Sequence, residues 1–229
     1  MALNTESEGR TLAELARRDL LRTLAVGGVA IASGVGLEST FAAPAGATPA
    51  AQNLIMMIRH AEKPPDSGKP YGITPDGTED DHSLTVAGWT RAGALVGLFA
   101  PDNGEVPAGL RKPDRIYASG AGEKGQRPIQ TVTALAAKLD YKLDTDYGKG
   151  DEKKLAAEIA KLSGTTLVSW EHEQMPDIIA ALGRVSPAPP SSWPDARYDM
   201  VWVFAGGPSS WTFSQVPQLL LAGDSSKPI

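Results

Sequence analysis

The run Leu54-Ile55-Met56-Met57-Ile58 is apolar without interruption and stops abruptly at Arg59-His60-Ala61-Glu62. A short apolar run with no polar alternation marks a strand covered on both faces. A strand of that kind demands a sheet with a layer of helices on each side, so this one segment narrows the fold to a layered α/β domain. The change from apolar to charged at Arg59 places those side chains where a buried strand opens into a loop. In open α/β sheets that edge is where ligands bind.

The rest of the chain keeps to the same plan. Strand patterns are predicted over 53–60, 114–119, 165–170, 198–205 and 211–221, with a minor one at 142–143. Helical spacing is predicted over 85–100, 126–139, 151–162 and 175–182. Thr85 is the N-cap of the first helix, and Pro176 falls in the first turn of the last. The stretches 64–82 and 186–195 are rich in proline, glycine and polar residues and read as loops. The alternation predicts a three-layer α/β/α domain with a mostly parallel central sheet and no internal repeat. Trp89, Trp170 and Trp202 fall at core positions, whereas Trp193 and Trp211 lie near loops, where a pocket-lining role is open to them.

Composition removes several kinds of chemistry. There is no cysteine among the 229 residues, which excludes disulfides, thiolate metal sites and a cysteine nucleophile. The three histidines, His60, His82 and His172, lack metalloprotease spacing, so no metal and no cofactor are expected. The net charge of −5 carries no basic patch, and nucleic acid is not an expected partner.

The N-terminus has a different character. Arg17-Arg18 precede a glycine-rich apolar run over 23–37, followed by small-residue sites at Ala43-Pro44-Ala45 and Ala45-Gly46-Ala47. This resembles a twin-arginine export signal. The expectation is a signal over 1–47, recognised by the twin-arginine export machinery, and a mature domain over 48–229. The run is too short and too rich in glycine for a stable membrane span. The protein is therefore expected outside the cytosol, in the periplasm or beyond the cell.

Parallel strands would bring Arg59-His60, the segment after Ser119 that leads to Arg127, and Glu171-His172-Glu173 to one sheet edge. Arginines offer forked donors that match phosphate oxygens. A neutral imidazole can attack phosphorus, and a second histidine can stabilise the charge that builds on the equatorial oxygens. Taken singly, each feature has a structural explanation. His60 could be a strand-end histidine bonded to a carbonyl, and His172 a salt-linked surface histidine.

Together these residues resemble the histidine phosphatase superfamily, which includes phosphoglycerate mutases and acid phosphatases. Arg59-His60-Ala61 is similar to its Arg-His-Gly signature. Leu84-Thr85-Val86-Ala87-Gly88 is similar to its Leu-Thr-x-x-Gly helix start, and Arg127-Pro128-Ile129-Gln130-Thr131 to its Arg-x-x-Gln-Thr segment. His172 falls at the family's second histidine. The resemblance implies that His60 is a nucleophile forming a phosphohistidine and that Arg59, Arg127 and His172 complete a phosphate pocket. It also implies a phosphorylated small molecule or macromolecule as substrate. A non-catalytic module that binds phosphorylated ligands is the alternative.

For the proton donor the resemblance favours Glu173, which follows His172 as an acid does in the acid-phosphatase branch. In the mutase branch the acid comes after the second arginine, a region that here offers Asp144, Asp146, Asp151 and Glu152. Glu62 is a further candidate. The sequence departs from the family pattern in two places. Ala61 replaces a glycine, and the long segment 120–125 separates Ser119 from Arg127, bringing Lys124 forward as an additional phosphate contact.

Overall fold

The computed structural model describes residues 53–120 and 125–229. The expected export signal and Lys124 lie outside these residues. The six strands are β1 (Asn53–Arg59), β2 (Arg115–Ala118), β3 (Thr165–Trp170), β4 (Val185–Ser186), β5 (Met200–Gly207) and β6 (Ser210–Pro217). The four helices are α1 (Val86–Phe99), α2 (Gln126–Leu139), α3 (Glu152–Ile159) and α4 (Met175–Leu182).

The strands form one sheet in the order β2-β3-β1-β5-β6-β4. Every residue of β1 is buried, as its unbroken apolar run requires. Its side chains alternate between two cores. Ile55 and Met57 pack with Leu155 and Ile159 of α3 and Ile178 and Leu182 of α4. Leu54, Met56 and Ile58 pack on the other face with Leu95, Leu98 and Phe99 of α1 and Val132 and Leu135 of α2. The result is the expected three-layer α/β/α domain.

The pairings β2–β3, β3–β1 and β4–β6 are parallel, whereas β1–β5 and β5–β6 are antiparallel. The tight reversal between Gly207 and Ser210 returns β6 antiparallel directly alongside β5. The expected strand at 142–143 reduces to one bridge, Tyr117 with Asp144, against the outer edge of β2. Helix α3 ends earlier than its pattern, because the amides of Lys161 and Leu162 reach back only three residues and tighten the last turn. Tyr198 precedes β5 rather than opening it, since Asp199 accepts bonds from Arg197 Nε and from the Ser225 amide and anchors the chain before the strand begins. Trp193 and Trp211, placed near loops by the sequence, are both buried in the core on the α3 and α4 side.

Two sequence motifs act as clamps on the loop that follows β1. Thr85 caps α1 by accepting from the Gly88 amide at 3.2 Å, and its own amide donates to the Glu62 carbonyl at 3.0 Å. A Cβ on Gly88 would lie 2.5 Å from the Glu62 carbonyl oxygen, so only glycine lets the helix start approach this closely. From the other side, Thr131 in α2 accepts the Ala61 amide at 2.8 Å. Gln130 accepts the Leu84 amide and donates to Ser83 Oγ, both at 2.9 Å. The prediction is that Gly88→Ala destabilises the domain by about 1–3 kcal/mol through overpacking against backbone, read as a lowered denaturation midpoint with an unchanged m-value.

Candidate active site

The parallel trio β2-β3-β1 ends at one level. The His60 amide donates to the Trp170 carbonyl at 3.0 Å, and the Ser119 amide to the Ser169 carbonyl at 3.1 Å. This alignment brings Ser119, Glu171, His172, Arg59 and His60 to one edge. Arg127 arrives there on the first turn of α2.

His60 is 3 % exposed. Its Nδ1 lies 2.7 Å from the Ala61 carbonyl oxygen. A carbonyl only accepts, so Nδ1 carries the proton and the neutral ring keeps its lone pair on Nε2. Burial pushes the imidazole pKa down to about 3 from its ordinary 6.5, and the positive charges of Arg59 and Arg127 push in the same direction. His60 is therefore a neutral base with a free Nε2 over the physiological range.

Arg59 is a buried cation and Arg127 a half-buried one, and both are held by carbonyls rather than carboxylates. Arg59 is 1 % exposed. Its Nη1 donates to the carbonyls of Asp195 at 2.5 Å and Arg197 at 3.1 Å, its Nη2 to the Tyr198 hydroxyl at 3.3 Å, and the guanidinium lies 4.0 Å from the centre of the Tyr198 ring. Arg127 Nη2 donates to the Asp81 carbonyl at 2.6 Å. The Nε atoms of both arginines are buried and have no partner among the described residues. Burial lowers the pKa of both, although neither loses its charge at neutral pH.

His172, on the loop after β3, places Nε2 2.6 Å from Asp195 Oδ1. Burial lowers its pKa and Arg59 adds to the effect, while Asp195 opposes both. Glu173 is exposed. It lies on the rim of a cavity of about 310 Å³, with His172 beside it and Ser191, Ser192, Trp193 and Asp195 across. Glu62 is engaged elsewhere. Both its oxygens accept from Arg91, whose Nη2 also meets Asp224 Oδ1 at 2.7 Å. Burial opposes the Arg91 charge, but these two carboxylates outweigh it and raise the pKa. Glu62 is thus paired with the buried Arg91. The Ala61 amide is likewise taken by Thr131 and does not face the pocket.

Sequence reasoning brought Arg59, His60, Arg127, His172 and Glu173 to one edge but missed Tyr198 and Asp195. Both lie between the proline-rich segment and β5, and no spacing tied them to the site. It brought Glu171 to the same edge without giving it a role. His82 is half-buried in the loop that contacts Arg127 through Asp81. Among the described residues no cluster of three or more histidine or carboxylate side chains is arranged to hold a metal ion.

No protein-family model and no curated protein matches the chain. Solved structures do resemble it. The protein histidine phosphatase SixA, complexed with tungstate, is 15 % identical; the match covers 72 % of this chain and 97 % of that one, with a TM-score of 0.49. A mycobacterial glucosyl-3-phosphoglycerate phosphatase is 14 % identical over 72 % of this chain and 98 % of that one, with a TM-score of 0.44. An ecdysone phosphate phosphatase from Bombix mori, in complex with tungstate, is also 14 % identical, over 77 % and 97 %, with a TM-score of 0.44. At these identities the likeness is one of fold.

The His60 geometry has a measurable consequence. Its folded pKa lies below its unfolded value, so between about 3 and 6.5 the unfolded chain binds a proton that the folded chain refuses. Stability therefore falls as pH drops through that window. A His60→Gln variant is expected to lose less stability than the wild type between neutral pH and pH 4, and NMR of the wild type should find this ring still neutral and protonated on Nδ1 near pH 5. A ring that titrates at its ordinary value would contradict the assignment.

Proposed function

We propose that the chain is a metal-independent phosphomonoesterase that works through a covalent phosphohistidine on His60. The observation that carries this reading is the buried imidazole with Nδ1 pinned to the Ala61 carbonyl, which leaves its Nε2 lone pair for a ligand, near enough to two arginines to feel their charges. A nucleophile must present a lone pair without having to shed a proton, and this ring does so at neutral pH. A phosphate dianion supplies the acceptors that the two buried Nε donors lack. His172, neutral in the free protein, gains a proton more readily once a dianion sits beside it and then stabilises the equatorial oxygens.

The reaction has two halves. His60 Nε2 attacks phosphorus in line and the alcohol departs with a proton from a carboxylic acid. Water then attacks the phosphohistidine, and inorganic phosphate leaves. The substrate is a phosphorylated small molecule or a phosphorylated macromolecule, and the 310 Å³ cavity beside His172 gives its alcohol portion a place to lie.

The test uses an aryl phosphate and the purified domain. His60→Ala should lose at least ~10³-fold in kcat and leave no acid-labile phosphoenzyme on rapid quench. Arg127→Ala should lose ~10²-fold in kcat/KM. Undiminished turnover by His60→Ala would falsify the nucleophile assignment. A wild type that binds phosphate but turns over no phosphoester would favour the binding-module alternative.

We also infer that the protein acts after export, in the periplasm or outside the cell. The support is the Arg17-Arg18 pair ahead of the apolar run over 23–37 and the small-residue sites that follow. Replacing both arginines by lysine should leave precursor in the cytosol, seen by fractionation. Unchanged export would remove the twin-arginine reading.

A further inference from the structure

One carboxylate at the sheet edge has no role in the reaction as outlined. Glu171 is the first residue past β3, and β3 is the middle strand of the parallel trio. Arg59 pairs with Trp170 across β1–β3, and Ala118 with Ser169 across β2–β3. Glu171 therefore leaves the sheet between the end of β2, which carries Ser119, and the end of β1, which carries His60. Its Oε1 accepts from Ser119 Oγ at 3.1 Å. Its Oε2 is buried and has no partner among the described residues. It lies near enough to Arg127 for its charge to act on that guanidinium.

We propose that Glu171 is the acid that protonates the leaving group, with Ser119 as its positioning residue. This rests on the phosphoryl-transfer reading above and names the acid that reading requires. In the first half, His60 Nε2 bonds to phosphorus, the bond from phosphorus to the leaving oxygen breaks, and the Glu171 proton passes to that oxygen. In the second half, the Glu171 carboxylate takes a proton from water as the water oxygen attacks phosphorus. The nitrogen–phosphorus bond breaks, inorganic phosphate departs, and both His60 and Glu171 return to their starting states.

The surroundings suit the role. Burial holds the Glu171 carboxyl above the ordinary carboxylate range. The Ser119 bond and Lys149 pull the other way, Glu152 adds to the rise, and Arg127 faces the group from α2. An acid must keep its proton until the leaving oxygen needs it, and a buried carboxyl with one oxygen fixed and one unpartnered can do so. Glu173, two residues on, is exposed, and its carboxylate accepts from Gln174 Nε2 at 3.5 Å.

The experiment compares Glu171→Gln and Glu173→Gln on two substrates. One is an aryl phosphate, whose phenolate leaves unaided; the other is an alkyl phosphate, whose alkoxide cannot leave without a proton. Glu171→Gln should lose ~10²- to 10⁴-fold in kcat on the alkyl phosphate and far less on the aryl phosphate, whereas Glu173→Gln keeps the wild-type ratio between them. Ser119→Ala removes a bond that favours the charged carboxylate, so the basic limb of its alkyl-phosphate pH profile should move to higher pH.

Equal losses on both substrates in a folded Glu171→Gln protein would overturn the proposal. So would a leaving-group dependence that appears in Glu173→Gln instead. If Glu171→Gln does not fold, an unmoved basic limb in Ser119→Ala overturns it. A wild type inactive on both substrates removes the phosphoryl-transfer reading itself, a failure distinct from the loss of Glu171 alone.

Discussion

The site depends on the backbone of one residue, Ala61. Its carbonyl fixes the His60 ring by accepting from Nδ1, and its amide is in turn fixed by Thr131. An imidazole oriented by a carbonyl is only as rigid as that carbonyl, so the pocket needs the loop after β1 to be immobile. This requirement accounts for two motifs that do no chemistry themselves. Thr85 and Gly88 press the start of α1 onto the Glu62 carbonyl, and Gln130 with Thr131 hold the start of α2 against the same segment. The Thr131 hydroxyl also donates to the Arg127 carbonyl at 2.7 Å, which ties the second arginine to the support of His60. A shift of either helix would reach His60 through these bonds before it reached any ligand.

Arg59, Arg91 and Arg127 each sit in a buried or half-buried network, and their partners separate structure from function. Arg91 meets two carboxylates and a glutamine, so its charge is cancelled within the protein. Arg59 and Arg127 are held by main-chain carbonyls and a phenol, which are dipoles without net charge. Such partners satisfy donors and fix the guanidinium, but they leave the positive charge available to a ligand. Burying charge without a counterion is costly, and that cost is recovered when a dianion binds. The same uncancelled charge helps keep His60 neutral.

The architecture was legible in the sequence because it rests on periodicity. The apolar run of β1 and the apolar spacing of α2 over Gln126–Leu139 gave the elements where they occur. The ends of α3 and β5 were less legible, since they depend on single anchors such as Asp199 that carry no periodic signature. Among site residues, those on strand ends or helix starts could be read, because topology alone carries them to the edge. Asp195 and Tyr198 could not, because they reach the site through a loop whose path is set by the hydrogen bonds of Arg59. The pairing of Glu62 was illegible for a related reason, since Arg91, which also meets Asp224, comes to it from a distant part of the chain.

The alternation of β1 divides the pocket into two halves. Ile58 faces α1 and α2, while Met57 faces α3 and α4. Arg59, two residues past Met57, follows it and meets the 194–198 segment, where His172 joins it through Asp195. His60 bonds within the loop that α1 and α2 clamp, and Arg127 comes from α2 itself. A ligand that touches His60, Arg59, Arg127 and His172 therefore bridges both layers of helices across the sheet edge. Neither half could form the pocket alone, because one supplies the lone pair with one cation and the other supplies the second cation with the second histidine. Their common frame is the parallel trio of strands. The level at which β1 and β3 end, fixed by the bond from the His60 amide to the Trp170 carbonyl, sets the distance across which those four groups must act.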